Sequence, residues 1–329
     1  MNPMKFIIIG NGPAGTTAAA KLRKLNTDCS IQIFSQEKTP YYARPKLPDY
    51  IAGKTEKVQV YDQHWYQDKN IMLHINSTVQ SIDTKKKTIT SNGADYKYDS
   101  LLLALGATPN MPPVKGANNK NIYTLRTLED ADNIIAAVQD KKEVVVVGGG
   151  VLGLEIANSF LSMNKSIKVV EVGDCLLSRQ LNTTQGKKLQ SVLEDKGVQF
   201  YLPEMCDEIS KINNKLIINT KNNTRIEADI ILVSAGVRAR IDLPKKAGLD
   251  TDKGIIVNEY LQTSHESVFA AGDCIQFSDQ LWGFVKSSIE QGNIAAENMI
   301  NTNSQKYSGT EINVTIKISG IDMNNVLNS

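Results

Sequence analysis

Two glycine clusters carry the clearest chemistry in this chain. Gly10-Asn11-Gly12-Pro13-Ala14-Gly15 and Gly148-Gly149-Gly150-Val151-Leu152-Gly153 both spell G-x-G-x-x-G. In such a loop the first glycine makes a tight turn and the second lets a pyrophosphate approach the backbone. The third lets a helix pack closely on a strand, and the helix N-terminus adds partial positive charge. With glycine at about 7% of positions, chance yields roughly 0.1 such matches in a chain of this length, so two in the same local context argue for dinucleotide binding. Glu171 lies 18 residues beyond Gly153, at the end of an apolar run. A carboxylate there accepts from the ribose 2′-OH of NADH and repels the 2′-phosphate of NADPH. In the first cluster the equivalent position is Ser35, Gln36 follows, and the acid is delayed to Glu37.

The elements that must hold these loops are legible on either side of them. Lys5–Ile9 is a β-branched run closed by Gly10, Pro13 suits a first helical position, and Ala14–Leu25 is an alanine-rich helix leading to a strand at Ser30–Phe34. The same order returns at Glu143–Val147, Val151–Met163 and Ser166–Glu171, 138 residues later. The spacing implies two related βαβ units and excludes a short-period solenoid. Between them come a proline-rich patch (Pro40, Pro45, Pro48) and a short helix near Asp62–Lys69. Short strands are expected at Ile71–Ile75, Thr78–Ile82, Lys87–Thr90, Tyr96–Tyr98 and Ser100–Ala104, before a linker-like Gly106–Pro113. After the second unit, strands are expected at Val198–Tyr201, Lys215–Asn219, Ile230–Val233, Gly254–Val257 and Val268–Ala271, then a helix from about Gly283 to Ile300. One further strand-like run, Asn313–Ile318, has no visible partner.

Composition narrows the function classes. The chain has 329 residues, 41% hydrophobic and 22% charged, enough for two or three globular domains. A net charge of +2 supplies no excess of phosphate-neutralising side chains, which argues against nucleic-acid binding. Four scattered cysteines fit neither a disulfide scaffold nor a zinc cluster, and His64, His74 and His265 lack metal spacing and are expected at the surface. No metal is expected. No apolar run approaches membrane-spanning length and no leader precedes Phe6, so a cytoplasmic protein without membrane partners is expected. Lys85-Lys86-Lys87 reads as an exposed turn.

Ala270-Ala271-Gly272-Asp273 after an apolar strand start adds a third signal. Together with both glycine clusters, Ala104-Leu105-Gly106-Ala107-Thr108-Pro109, Gly153-Leu154-Glu155, Ser234-Ala235-Gly236-Val237-Arg238 and Gln291-Gly292-Asn293-Ile294-Ala295-Ala296, it resembles the pyridine nucleotide–disulfide oxidoreductase superfamily. The resemblance covers residues 5 to about 300. It implies an α/β fold with two Rossmann-like domains, the NAD domain inserted in the FAD domain. Residues 1–108 and 236–305 would bind FAD, 109–235 would bind NAD, and 306–329 would be the start of an incomplete C-terminal interface domain. In that family the aspartate of the Gly-Asp pair, here Asp273, bonds the ribityl chain of FAD. The resemblance implies that Gly10, Gly12, Pro13, Ala14, Gly15, Glu37, Val79, Ala104, Gly106, Arg126 and Gly272 also contact the cofactors. On the NAD side it implies Gly148, Gly150, Val151, Leu152, Gly153 and Glu171, and it adds Gly236 as a further cofactor contact.

The branch follows from what is missing. No C-x-x-C or C-x4-C pair is present, and the stretch Pro40–Leu47 holds no flavin-proximal cysteine. Cys29 and Cys274 read as small core residues. Tyr42-Ala43-Arg44-Pro45-Lys46-Leu47 resembles the Tyr-x-Arg-Pro-x-Leu segment of rubredoxin and ferredoxin reductases, most of all the clostridial NADH:rubredoxin type. That resemblance turns Arg44 and Lys46 toward FAD. Many relatives place a lysine where Asp49 stands, so Lys46 would substitute as the catalytic lysine. Glu155 would lie where the nicotinamide enters; the alternative is an acid favoured by the helix dipole alone, by roughly 0.3–1 kcal/mol. The expected activity is FAD-dependent electron transfer from NADH to rubredoxin or a similar small carrier protein, by a monomer or homodimer. The alternatives are the flavin module of an NADH-dependent nitrite reductase and a non-catalytic NADH sensor. Asn301–Ser329 is expected to pack weakly or to contribute an edge to another chain, and to be dispensable for reduction by NADH.

Overall fold

The computed structural model describes residues 3–311, 318 and 321–327. The strand expected at Asn313–Ile318 lies outside the described residues apart from Ile318. The chain divides into two compact units. One holds Gln59–Thr108 and Arg238–Ile312 together with the chain up to Tyr42; the other holds Ala43–Val58, Pro109–Val237 and the end of the chain. Residues 43–58, read from sequence as part of the FAD domain, thus group with the second unit.

In the first half of the chain the elements that position the loops are β1 (Lys5–Ile9), α1 (Pro13–Leu25), β2 (Ser30–Phe34), β3 (Ile71–His74) and β4 (Ser100–Leu103). There follow α2 (Leu128–Val138), β5 (Glu143–Val147), α3 (Val151–Ser162), β6 (Ser166–Val170), α4 (Thr183–Glu194), β7 (Val198–Tyr201) and β8 (Ile230–Val233). β9 (Val268–Ala270) and α5 (Val285–Ile300) return to the first unit.

The first unit is built on a parallel sheet of order β9-β4-β1-β2-β3. Phe6, Ile7, Ile8, Leu101, Leu102 and Leu103 are fully buried, as expected of a parallel sheet covered on both faces. α1 presents Ala14, Ala18, Ala19 and Leu22 inward, and its small alanines let α5 approach. A Cβ on Gly292 of α5 would stand 2.4 Å from the Ala14 carbonyl oxygen, so only glycine permits that crossing. Val79–Asp83, Thr88–Ser91 and Ala94–Lys97 form an antiparallel meander, with Lys85, Lys86 and Lys87 in its first turn as expected. His74 departs from its expected surface role. It stacks on Phe34 at 4.4 Å, pairs through Nε2 with Gln32 Oε1 at 2.9 Å, and burial lowers its pKa.

The tail also departs from expectation. Tyr307, Thr310, Ile318, Met323 and Val326 are all buried. The Tyr307 ring packs against Phe277 and Trp282 at 5.2 and 5.6 Å, so Tyr307 joins the core, while residues 301–306 are exposed.

The second unit repeats the plan with order β7-β6-β5-β8 and a short fifth strand, Ile122–Tyr123. An antiparallel meander, Cys206–Ile212, Lys215–Thr220 and Arg225–Ala228, packs Ile218 and Ala228 against Val145 and Ile231. A charged cluster fastens the N-terminal ends of these strands. Asp229 accepts from the backbone N–H groups of Lys142 and Glu143 at 3.0 Å each and pairs with Lys215 at 2.9 Å. Lys215 and Lys168 both reach Glu143, at 2.6 and 3.1 Å.

Burial alone would raise the Asp229 pKa, but the Lys215 ammonium and the two amides outweigh it and hold the carboxyl down to about 2 from 3.8. A carboxyl depressed in the folded state stabilises fully above its unfolded pKa, and that contribution disappears as pH falls from about 4 through about 2. Asp229→Ala is expected to lower stability by about 2 kcal/mol in urea unfolding at pH 7 and by much less at pH 2. Equal losses at both pH values would show that the carboxylate does not hold these strand ends.

Candidate functional site

Register places the two glycine loops at the carboxyl ends of their sheets. Ile9 pairs with Phe34 and Leu103, and Val147 pairs with Val170 and Val233, so Gly10 and Gly148 emerge where neighbouring strands diverge to opposite sides. Such a switch point leaves a crevice in open parallel sheets. Gly10 and Gly148 have φ of +117° and +118°. A Cβ at Gly10 would meet the Ala104 carbonyl oxygen at 2.0 Å, and one at Gly148 would meet that of Ser234 at 2.3 Å. Cβ atoms at Gly15 and Gly153 would each lie 2.0 Å from the carbonyl oxygen of the loop's own first glycine. At Gly12 and Gly150 a Cβ would meet nothing within 4 Å. These two positions open onto space, and that is the property a bound pyrophosphate requires.

Helix capping separates these loops from α2 and α4, although α5 too begins without a side-chain cap. α2 and α4 begin with capping boxes, Thr127 with Asp130 and Asn182 with Gln185. α1 and α3 begin at Gly12 and Gly150, and no side chain caps either. Their first-turn N–H groups and the positive dipole end are left for a ligand oxygen. In the first loop, Asn11 Oδ1 accepts from the buried Tyr66 hydroxyl at 3.0 Å, which fixes the amide, while its buried Nδ2 has no partner among the described residues. A buried donor on the loop without a partner is what a phosphate or ribose oxygen would satisfy.

The Gly272-Asp273 turn closes on the same loop. Gly272 has φ +86°, and a Cβ there would stand 3.3 Å from the Ala14 Cβ, so the turn bears directly on the start of α1. Ala104, Gly10, Ala14, Gly15, Gly272 and Asp273 are thereby gathered at one end of the first sheet. Gly106 (φ +68°) accepts from the Arg240 N–H at 3.1 Å, and Val79 is buried at the start of the meander. Glu37 follows β2 and accepts from the Tyr42 hydroxyl. Pro13 opens α1 at N1.

In the second unit Glu171 follows β6, and both its oxygens are held by backbone. Gly149 N–H donates to Oε2 at 2.6 Å and Gly173 N–H to Oε1 at 2.7 Å. Each oxygen keeps a lone pair for a ribose hydroxyl. Sequence reasoning passed over Gly149 and Gly173. A Cβ at Gly149 would stand 3.0 Å from Leu176 Cδ2 and 3.2 Å from Glu171 Cγ and Oε2, so the acid and Leu176 together crowd the position. Val151 and Leu152 form the first turn of α3, Gly236 (φ +84°) accepts from the Asn110 N–H at 2.9 Å, and the Arg126 N–H donates to Asp130 at 3.0 Å.

Glu155 is the fifth residue of α3, past the first turn, so the helix dipole gives it little. It lines a cavity with Pro45, Pro48, Asp49 and Ser159. Burial penalises its anion, and the neighbouring Asp49 charge adds to this, pushing its pKa up to about 7. Its Oε therefore carries a proton below neutrality and an anion above it. Arg44 and Lys46 occupy a single 3-10 turn just before this cavity, Lys46 exposed and Arg44 half-buried.

All four cysteines are free and buried. Burial pushes the Cys274 thiol up to about 12 and Cys206 to about 11, so these are core residues and not redox thiolates. Among the described residues no group of three or more side chains is placed to hold a metal, and no helix is long and apolar enough to cross a membrane.

Residues 4–297 match the family described as pyridine nucleotide-disulphide oxidoreductase. The chain is 32% identical over 327 residues to a nitrite reductase (NAD(P)H) of Bacillus subtilis, covering 98% of this chain and 41% of that one. It is 30% identical over 285 residues to a rubredoxin-NAD(+) reductase of Ectopseudomonas oleovorans, covering 85% and 74%. A solved ferredoxin reductase for the CYP199A2 system of Rhodopseudomonas palustris superposes with a TM-score of 0.87 at 26% identity, over 93% of this chain and 78% of that one. The chain spans about two fifths of the length of the first curated relatives it matches, 41% and 42%.

The glycine geometry separates folding from binding. Gly15→Ala is expected to lose about 3 kcal/mol, because its Cβ meets backbone. Gly12→Ala adds a methyl in open space at φ −91°, so its thermal midpoint should fall only slightly, by the N-cap preference for glycine. Its flavin content after gel filtration should nevertheless fall. A Gly12→Ala protein that keeps flavin as the native one does would remove the pyrophosphate from this loop.

Proposed function

We propose, for a chain that belongs to the pyridine nucleotide-disulphide oxidoreductase family, that it takes electrons from NADH and passes them through FAD to rubredoxin or a similar small one-electron carrier protein. The cofactors are FAD and NADH. The observation that carries the reading is the pair of uncapped helix starts, each with one glycine open to a ligand and others locked against backbone. The unpartnered Asn11 Nδ2 and the backbone-held Glu171 fit a dinucleotide at each. When bound, the flavin supplies the conversion of a two-electron donor into single electrons, chemistry no side chain offers.

The chain's own residues bind and orient. Gly10, Gly12, Gly15 and the start of α1 would hold the FAD pyrophosphate, Asp273 the ribityl hydroxyls, and Glu37 the ribose. Gly148, Gly150 and Gly153 would hold the NADH pyrophosphate, with Glu171 on its ribose 2′-OH. Arg44 and Lys46 would supply positive charge beside the flavin. Glu155 would hold a proton on its carboxyl below about pH 7 and present an anion to the nicotinamide above it. The absence of a reactive thiol pair favours an external carrier over a disulfide as acceptor. A second reading, the flavin module of an NADH-dependent nitrite reductase, is favoured by a match that covers 98% of this chain.

Stopped-flow mixing with NADH in the absence of oxygen tests the first half of this reading, and subsequent mixing with rubredoxin tests the second. Fast flavin reduction followed by fast rubredoxin reduction is expected; reduction that stalls at the flavin would turn the assignment toward the nitrite reductase module. Glu171→Arg should reverse or flatten a strong preference for NADH over NADPH. Native rates that are equal for both nucleotides would remove Glu171 as the selector. Because a carboxylate favours the cationic ring of NAD+, affinity for NAD+ should rise as pH passes about 7. Glu155→Gln should show no such rise, and an unchanged profile in that variant would place the titration elsewhere.

A further inference from the structure

We infer that Tyr307, beyond α5, is a positioning residue for the flavin site, acting through Gln291 on the Gly272-Asp273 turn. This rests on the assignment of FAD to the first unit. The contacts form an unbroken chain. Gly272 N–H donates to Gln291 Oε1 at 2.8 Å, Gln291 Nε2 donates to the Tyr307 hydroxyl at 2.9 Å, and that hydroxyl pairs with Thr310 Oγ1 at 2.8 Å. Gln291 is 0% exposed, Tyr307 1% and Thr310 6%, so water cannot replace a lost partner without entering the core.

The two ends of the Gln291 amide are chemically distinct, and each has one suitable neighbour. Gly272 offers only a donor, so the carbonyl end must face it; the amide nitrogen then requires an acceptor, and the Tyr307 hydroxyl is that acceptor. Without it, a buried N–H is left unpaired and the amide gains by rotating or withdrawing. Gly272 then loses the bond that fixes its N–H in the left-handed region. Gly272 lies against Ala14 at the start of α1, so a shift in this turn moves Asp273 relative to the glycine loop. The tail is thereby tied to cofactor retention and not merely to the core.

A second tail anchor provides the control. Asn298, fully buried, donates to the carbonyls of Tyr260 and Gln305 at 2.9 and 2.7 Å and accepts from the N–H groups of Ser304 and Gln305 at 2.9 and 3.0 Å. None of these bonds reaches Gly272. FAD titration of the full chain, followed by fluorescence quenching, should give Tyr307→Phe a dissociation constant about tenfold above native, the effect of one buried hydrogen bond. Asn298→Ala should lose thermal stability yet stay within about twofold of native in FAD affinity. Visible circular dichroism of the bound flavin should change in Tyr307→Phe and not in Asn298→Ala. Gln291→Ala should weaken FAD about as much as Tyr307→Phe, with little further loss in the double variant. A Tyr307→Phe protein that binds FAD within about twofold of native, or equal weakening by both tail variants, overturns the inference. A native chain that binds no FAD overturns instead the flavin assignment on which it rests.

Discussion

The Gly10 carbonyl leaves no room for a side chain at Gly15, and the Ala104 carbonyl leaves none at Gly10. These two backbone approaches fix α1 against β1 and β4 at a distance that any Cβ would break. Because α1 is held so close, its first turn faces outward over the strand ends with its N–H groups unspent. Gly272 and Gly292 can then bear on Ala14 from two other directions. The second unit rebuilds the constraint with Gly148, Gly153 and the Ser234 carbonyl. In both units the site is a consequence of how tightly helix and strand are allowed to pack.

Electrostatics follows from that packing. A helix start that needs only stability is capped by its own side chains, as at Thr127 and Asn182. The starts of α1 and α3, like that of α5, have no such cap, so their stability comes from the buried face instead. Glu171 shows the complementary arrangement: two backbone N–H groups, from Gly149 and Gly173, hold its carboxyl oxygens in place. Glu155 is treated oppositely. It receives burial and a second carboxyl nearby, which favour its protonated form. One unit thus fixes one acid by backbone hydrogen bonds and lets the other titrate near neutrality.

The segment after α5 changes how the first unit is understood. Tyr307 fills a space between Phe277 and Trp282, and its hydroxyl completes a buried amide that would otherwise be half-satisfied. A polar network of this kind is costly when incomplete and rigid when complete. Its rigidity is delivered to Gly272, the residue before Asp273.

The sequence by itself determined the features that are local in the chain. Glycine spacing, the βαβ order, the acid after β6 and the absence of a cysteine pair need only neighbouring residues to be interpreted. Glycine is required wherever the backbone turns left-handed or touches another backbone, and both needs recur at fixed offsets. Tertiary structure decided what depends on residues far apart. Gly149 reads as a turn glycine until Glu171 is seen against it, and Asn11 reads as a spacer until Tyr66 fixes its amide. His74 has no periodic signature that foretells its stacking on Phe34. The tail reads as polar and weakly packed because its serines and asparagines hide one tyrosine whose burial is set by Gln291, Phe277 and Trp282. The proton affinity of Glu155 is likewise invisible in the chain, because desolvation and the field of Asp49 exist only once separate segments enclose a common cavity.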